Sequence, residues 1–217
     1  KNHGVDRISI NPQTFSDSVL EKIGRKHTVA ETLQKFDLAR EIGFKSINTD
    51  LIAGLPSDDL EGFKNSVMQA IALDPENITV HTLALKRSST LVTENESDSL
   101  ARDMTAEMID FADEKLEEAG YFPYYMYRQS KSLGNLENVG WCKPGKECLY
   151  NVFMMEECQH IFSAGAGAVT KLVRDRQTNI ERIFNYKYPY EFISRFSSLC
   201  EKKERIDGFF EHTINQR

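Results

Sequence analysis

Asn48 and Asp50 stand two residues apart in the run Asn48-Thr49-Asp50-Leu51-Ile52-Ala53-Gly54-Leu55-Pro56. On a β-strand that spacing places an amide and a carboxylate on one face, together with Ser46 and Ile52. Gly54 and Pro56 end the strand. A carboxylate near the C-terminal end of a strand, just before such a break, is where α/β sheets and barrels carry chemistry. The competing reading is an aspartate on the exposed face of an edge strand. Upstream, Arg7 to Gln13 alternates apolar Ile8 and Ile10 with a second polar set, Ser9, Asn11 and Gln13.

The elements that must position these residues recur every few tens of positions. Thr28 and Glu31 form a capping box, in which hydroxyl and carboxylate satisfy each other's orphan amides. Val29, Leu33, Phe36, Ala39 and Ile42 follow at helical spacing, and Gly43 supplies a left-handed stop. After the Asp50 strand, Leu60, Phe63, Val67, Ala70 and Ile71 mark a second helix, closed by Asp74-Pro75. Ile78 to Leu85 reads as a third strand. Leu100, Met104, Met108, Ala112, Leu116 and Ala119 face one way on a third helix ended by Gly120, and Tyr121 to Tyr127 is an aromatic-rich fourth strand.

Strand and helix in this alternation predict parallel strands with crossover helices. Parallel sheets are covered on both faces. Burying Asn48, Asp50 and the Ser9 set without partners would cost on the order of 1–3 kcal/mol each. They are therefore expected to line a hydrated or ligand-filled lumen, as in a barrel or part-barrel. A doubly wound flat sheet is the structural alternative, with the same residues in a crevice between loops.

The chain has 217 residues, 28% of them charged, and a net charge of −6. No basic stripe is present, which argues against nucleic acid as the main partner. Glu201 to Arg205 is a mixed charge run expected at a solvated helix end. No apolar run approaches 18 residues and no signal peptide opens the chain, so a cytoplasmic enzyme domain is expected, without a membrane partner. The start at Lys1, directly before a strand, suggests a cut inside a longer protein. Cys142, Cys148, Cys158 and Cys200 have no repeated CxxC spacing, and reduced thiols are expected over disulfides. A metal site from Cys142, Cys148, Cys158 and His160 matches no common zinc or iron–sulfur spacing. His81 reads as a satisfied interior histidine.

Beyond residue 128 the rhythm changes. Residues 133–145 are turn-rich and predict loops or short hairpins. Ser163 to Val169 is glycine-rich without a dinucleotide or P-loop fingerprint, suited either to backbone approach by an anion or to tight packing. Tyr188 to Leu199 predicts a helix entered through Pro189, with Tyr190, Ile193 and Phe196 inward.

Arg7 to Phe15, Gly24 to Thr28, Ala39 to Phe44 and Asn48 to Pro56, in that order, resemble the radical S-adenosylmethionine enzymes of the oxygen-independent coproporphyrinogen III oxidase family. Tyr124 to Gln129, Gly134 to Gly140 and Lys143 to Cys148 resemble its anaerobic coproporphyrinogen dehydrogenase-like branch. The likeness runs from Gly4 to about Val173. It implies an α/β fold, the C-terminal part of a partial (β/α)6 barrel over residues 1–130, with a smaller α+β segment over residues 131–217. It also implies S-adenosylmethionine, a 4Fe–4S cluster and an electron donor as cofactors and partner. Gln13 and Asp50 fall where family members hydrogen-bond the ribose. Arg25 falls where a guanidinium pairs with the methionine carboxylate, and Ile52 and Ala84 fall where the adenosine is packed or held by backbone.

The family's Cys-x3-Cys-x2-Cys run is absent, so the chain is expected to be inactive alone and the cluster ligands to lie upstream. The implied activity of the complete protein is removal of hydrogen from a propionate of coproporphyrinogen III by a 5′-deoxyadenosyl radical, then oxidative decarboxylation to a vinyl group. Arg128, ending the fourth strand, is a candidate partner for a substrate propionate. Two alternatives stand beside this: a haem carrier of the same family, and a cluster-free interaction module.

Overall fold

The computed structural model describes residues 3–84, 98–129, 132–175 and 179–214. Two compact units divide the chain, Lys1–Cys148 and Leu149–Arg217. In the first unit the elements are β1 (Arg7–Ser9), α1 (Asp17–Lys22), α2 (Val29–Ile42), β2 (Ser46–Ala53), α3 (Leu60–Ala72), β3 (Asn77–Thr82), α4 (Asp98–Glu118), β4 (Phe122–Tyr127) and β5 (Asn138–Cys142).

Parallel strands with crossover helices are what the sequence predicts and what the structure contains, with one insertion. The strand order is β1-β2-β3-β5-β4. β1, β2 and β3 are parallel neighbours, whereas β5 runs antiparallel to both β3 and β4. β4 therefore keeps the direction of β1 to β3 but is separated from them by β5. The turn-rich stretch 133–145 thus contributes a central strand. β2 has a strand on each side, so Asp50 does not lie on an edge strand.

All three long helices cover the same face of the sheet. Phe36 and Ala39 of α2 pack with Ile47. Phe63, Val67 and Ala70 of α3, and Met108, Ala112 and Leu116 of α4, pack with Leu51, Ala53, Ile78, Val80 and Trp141. The register sets these strand residues on one side: Thr49 pairs with Ile78 and Leu51 with Val80. Right-handed crossovers advancing in one direction place every helix on one face, as in a barrel wall. A doubly wound sheet would carry helices on both. The other face holds Asn48, Asp50 and Ile52 with their register partners Asn77, Thr79 and His81.

Local chemistry accounts for the helix ends. The Thr28–Glu31 capping box forms with both reciprocal bonds, and Gly43 closes α2 in the left-handed conformation at φ 82°. The Ile42 stripe position, the last residue of α2, is 45% exposed. Ala119 is exposed because it lies just past the end of α4 at Glu118. Leu85 and the side chain of Leu100 lie outside the described residues. Gly54, at φ 80°, ends β2 where any Cβ would come 2.8 Å from Thr105 Oγ1 of α4. Glycine is needed there for conformation and for room.

Glu76 ties three elements together. Its carboxylate accepts from Arg40 Nη1 at 2.9 and 3.1 Å and from the Ile47 backbone at 2.7 Å. Its own backbone bonds to Ile47 and to Lys143. Glu76→Ala should cost about 2–3 kcal/mol in urea unfolding, because charge-assisted bonds are lost and the Ile47 amide is left unpaired.

Two carboxyls oppose folding at neutral pH. Burial raises Asp58 from 3.8 to about 6, and burial with the nearby Asp110 charge raises Asp113 to about 6. Each has one buried oxygen without a hydrogen-bond partner. Between pH 4 and 6 the folded state holds more protons than the unfolded chain, so stability falls as pH rises through that window. Asp58→Asn and Asp113→Asn should each flatten the profile and stabilise by about 1–2 kcal/mol at pH 7, read by thermal melts at pH 4 and pH 7.

The second unit contains α5 (Leu149–Glu156), the antiparallel pair β6 (Val169–Asp175) and β7 (Asn179–Phe184), α6 (Pro189–Ser194) and α7 (Phe196–Ile214). Leu172 and Ile183 from the hairpin pack with Phe209 of α7. The predicted helix over 188–199 is broken at Arg195, whose φ/ψ of −113°/27° is not helical. Tyr190, Ile193 and Phe196 are 68%, 75% and 56% exposed, not inward. The break resets the helical phase, so their spacing no longer defines a buried stripe. The glycine-rich stretch forms the turn into β6, held by Asn185 Nδ2 donating to Gly165 O at 2.8 Å.

Candidate strand-end site

The C-terminal ends of the parallel strands gather four of the predicted residues. Gln13 follows β1, Asp50 and Ile52 end β2, and Ala84 follows β3 in a bridge to Ser132. Gln13 is joined directly to the Asp50 segment: its amide donates to Asp50 O at 3.0 Å, and Ile52 donates to Gln13 O at 2.9 Å.

The period-two argument does not extend to Gln13. Ser9 pairs with Asn48 and Gln13 with Leu51, so four steps on one strand match three on the other. Pro12, which lacks an N–H, lies in the extra loop. Gln13 itself adopts φ 74°, a region that non-glycine residues rarely occupy and that concentrates at functional sites. The left-handed turn sends the chain toward the helix layer, where Phe15 N donates to Ser66 Oγ of α3 at 3.0 Å. Gln13 is 7% exposed, and its side-chain amide donates to Asn11 O at 3.2 Å.

On the polar face, Asp50 Oδ1 accepts from Asn48 Nδ2 at 2.8 Å, and Asp50 Oδ2 lies 3.6 Å from His81 Nε2. The Asp50 and His81 side chains are 20% and 22% exposed, so this face is open to a ligand. His81 Nδ1 is 3.1 Å from the Tyr127 hydroxyl, which also accepts from Gln129 Nε2 at 3.3 Å. Tyr125 and Tyr127 are parallel, 6.3 Å between ring centres, and Tyr125 reaches across β5 to Thr79 Oγ1 at 3.3 Å. Gly140, the β5 residue between them, makes this crossing possible: a Cβ there would come 1.8 Å from Tyr125 Cε1. Burial pushes both phenols upward, which keeps them protonated at neutral pH.

Arg25 sits on the exposed loop between α1 and α2, its backbone amide donating to Leu20 O at 2.9 Å. A groove of about 410 Å³ beside this loop is lined by Asn11, Lys26, His27 and Lys35. Arg128 is exposed and paired with Glu137 at 2.9 Å. His81, Thr79, Tyr125, Tyr127 and Gly140 are site residues that the sequence reading did not single out for a role. Their available signal was the alternation that sets Tyr125 and Tyr127 on one face of β4.

Three buried polar atoms near the strand ends lack partners: the acceptors Asn11 Oδ1 and Asn48 Oδ1, and the donor Asn138 Nδ2. Asn48 adjoins the half-open Asp50 carboxylate. The partly exposed Asp50 carboxylate is an acceptor of the kind a ligand diol such as a ribose would need. For a cluster the finding differs. Among the described residues, no group of three or more His, Cys, Asp or Glu is placed to hold a metal ion. Cys142 is buried, which pushes its thiol up to about 12, away from thiolate chemistry. No described helix is long and apolar enough to cross a membrane.

Comparison with known proteins adds an independent line. The radical SAM superfamily model matches residues 1–70. The chain is 42% identical over 217 residues to the oxygen-independent coproporphyrinogen-III oxidase-like protein HemZ of Bacillus subtilis, covering 99% of this chain and 43% of that protein. It is 31% identical to the heme chaperone HemW of Bacillus subtilis, covering 86% of this chain and 46% of the relative. The solved structure of coproporphyrinogen III oxidase (HemN) from Escherichia coli, a radical SAM enzyme, superposes with a TM-score of 0.65 at 18% identity, covering 91% of this chain and 44% of that one. The chain thus spans a little under half the length of these relatives. Over residues 1–70 it is similar to the radical SAM superfamily, over its whole length to a coproporphyrinogen-III oxidase-like relative, and in fold to a coproporphyrinogen III oxidase.

Proposed function

We propose that this chain supplies the nucleoside-binding strand ends of a radical SAM oxidoreductase that decarboxylates porphyrinogen propionates to vinyl groups. The observation that carries the reading is the joint of Gln13 to Asp50 and Ile52, which sets a rare left-handed residue beside an open carboxylate at the strand ends. In this reading Asp50 and Gln13 take the ribose, Ile52 and Ala84 border the adenosine, and Arg25 pairs with the methionine carboxylate. Bound S-adenosylmethionine supplies the hydrogen-abstracting radical chemistry, with cluster ligands from outside the described residues. Arg128 would exchange Glu137 for a substrate propionate, an exchange made inexpensive by their exposure.

The test is anaerobic assay of the complete, cluster-reconstituted protein with coproporphyrinogen III and a reductant. Vinyl product and 5′-deoxyadenosine in step support the reading. Arg128→Gln should raise KM about 5–20-fold with little change in kcat, the result of losing one charged substrate contact. Unchanged KM rejects that role. A haem-carrier reading is favoured by the 31% identity to a heme chaperone. Tight haem binding by spectral titration, with no vinyl product, would select it.

A further inference from the structure

We propose that His81 and Tyr127 are positioning residues that hold the Asp50 carboxylate ready for a ligand hydroxyl, through a one-way chain of donors running from β4 to β2. The proposal rests on the nucleoside reading of Asp50 given above. Gln129 Nε2 can only donate, so at 3.3 Å it uses a lone pair of the Tyr127 oxygen. The Tyr127 proton is then directed to His81 Nδ1, 3.1 Å away. A neutral imidazole accepting at Nδ1 carries its proton on Nε2. That nitrogen faces Asp50 Oδ2 at 3.6 Å, where a lone pair would be repelled and an N–H attracted.

The carboxylate is thereby held at one oxygen and faced by a donor at the other. Asn48 Nδ2 donates to Oδ1 at 2.8 Å, and the His81 N–H faces Oδ2. Rotation about its last bond is restricted, and the Asp50 side chain stays one-fifth exposed. The 3.6 Å separation is longer than a hydrogen bond, and contacts of this sort shorten when a ligand seats. Tyr127 is itself held by its parallel neighbour Tyr125, so the grip depends on β4, a strand whose backbone pairs with neither β2 nor β3 and which reaches β3 through side chains alone.

The test uses the complete protein with S-adenosylhomocysteine as the calorimetric probe and histidine-selective ¹⁵N spectra as a readout without activity. His81 is expected as the Nε2–H tautomer, shifting toward a mixture in Tyr127→Phe. Tyr127→Phe and His81→Leu should each weaken binding about 3–10-fold, and the double variant no more than His81→Leu alone, because both act through one chain. His81→Gln, which keeps a donor, should recover most of the loss. An Nδ1–H tautomer in the unmodified protein, or additive losses in the double variant, overturns the chain of donors. If Asp50→Ala leaves affinity unchanged, the nucleoside reading fails instead, whatever the tautomer. If Asp50→Ala weakens binding while His81→Leu does not, only the positioning role is rejected.

Discussion

Gly140→Ala is expected to destabilise the protein by about 2–4 kcal/mol, among the largest effects of any single methyl group here. The added carbon would come within 1.8 Å of the Tyr125 ring edge, which lies over Gly140 to reach Thr79. Neither neighbour can give easily. Gly140 is in the central antiparallel strand, fixed by ladders to β3 and β4, and Tyr125 is stacked against Tyr127. Urea unfolding of Gly140→Ala, Tyr125→Ala and the double variant measures the clash directly. In the Tyr125→Ala background the Gly140→Ala cost should fall below about 1 kcal/mol, a coupling of at least 1 kcal/mol. Equal costs in both backgrounds would show that the glycine serves the backbone alone.

The second large effect concerns the site. Asp50→Ala in the complete protein should weaken S-adenosylhomocysteine binding about 10–100-fold, the range for losing a hydrogen bond to a charged acceptor. The folding cost should stay at about 1–2 kcal/mol, that of leaving the Asn48 Nδ2 donor without the acceptor it has here, since the carboxylate itself is partly open. Gln13→Gly separates side chain from backbone. It removes the buried amide while easing the left-handed conformation at φ 74°, so it should keep or raise stability and still weaken the nucleoside analogue. Gln13→Val should instead lower the melting temperature, because a β-branched residue is strained there.

Short-range signals were legible before any coordinates. The Thr28–Glu31 box, the Gly43 stop and the core positions Phe63, Val67, Met108, Ala112 and Leu116 follow from spacing and chemistry within one turn or one helix face. So does the polar face of β2, where Asn48 and Asp50 stand opposite the buried Leu51 and Ala53. What the sequence did not carry is pairing between distant segments. Residues 138–142 are ordinary turn-bounded residues until β3 and β4 close on them, and only the need of Tyr125 for room explains Gly140. The alternation through Gln13 failed because Pro12 and a left-handed turn insert one residue. The aromatic stripe over 188–199 failed because a non-helical Arg195 breaks its phase. The Asp50–His81–Tyr127 contacts join residues 31 and 46 positions apart, and no local pattern reports such a meeting.

The central claim is that the Asp50 carboxylate accepts a ribose hydroxyl. A cycle between protein and ligand tests it: affinities of the complete protein and its Asp50→Ala variant for S-adenosylhomocysteine and for analogues lacking the 2′- or the 3′-hydroxyl. The account predicts that removing one particular hydroxyl costs about tenfold or more in the unmodified protein and almost nothing in the variant, a coupling on the order of 1.4 kcal/mol. Equal losses in both proteins, for both hydroxyls, would contradict it.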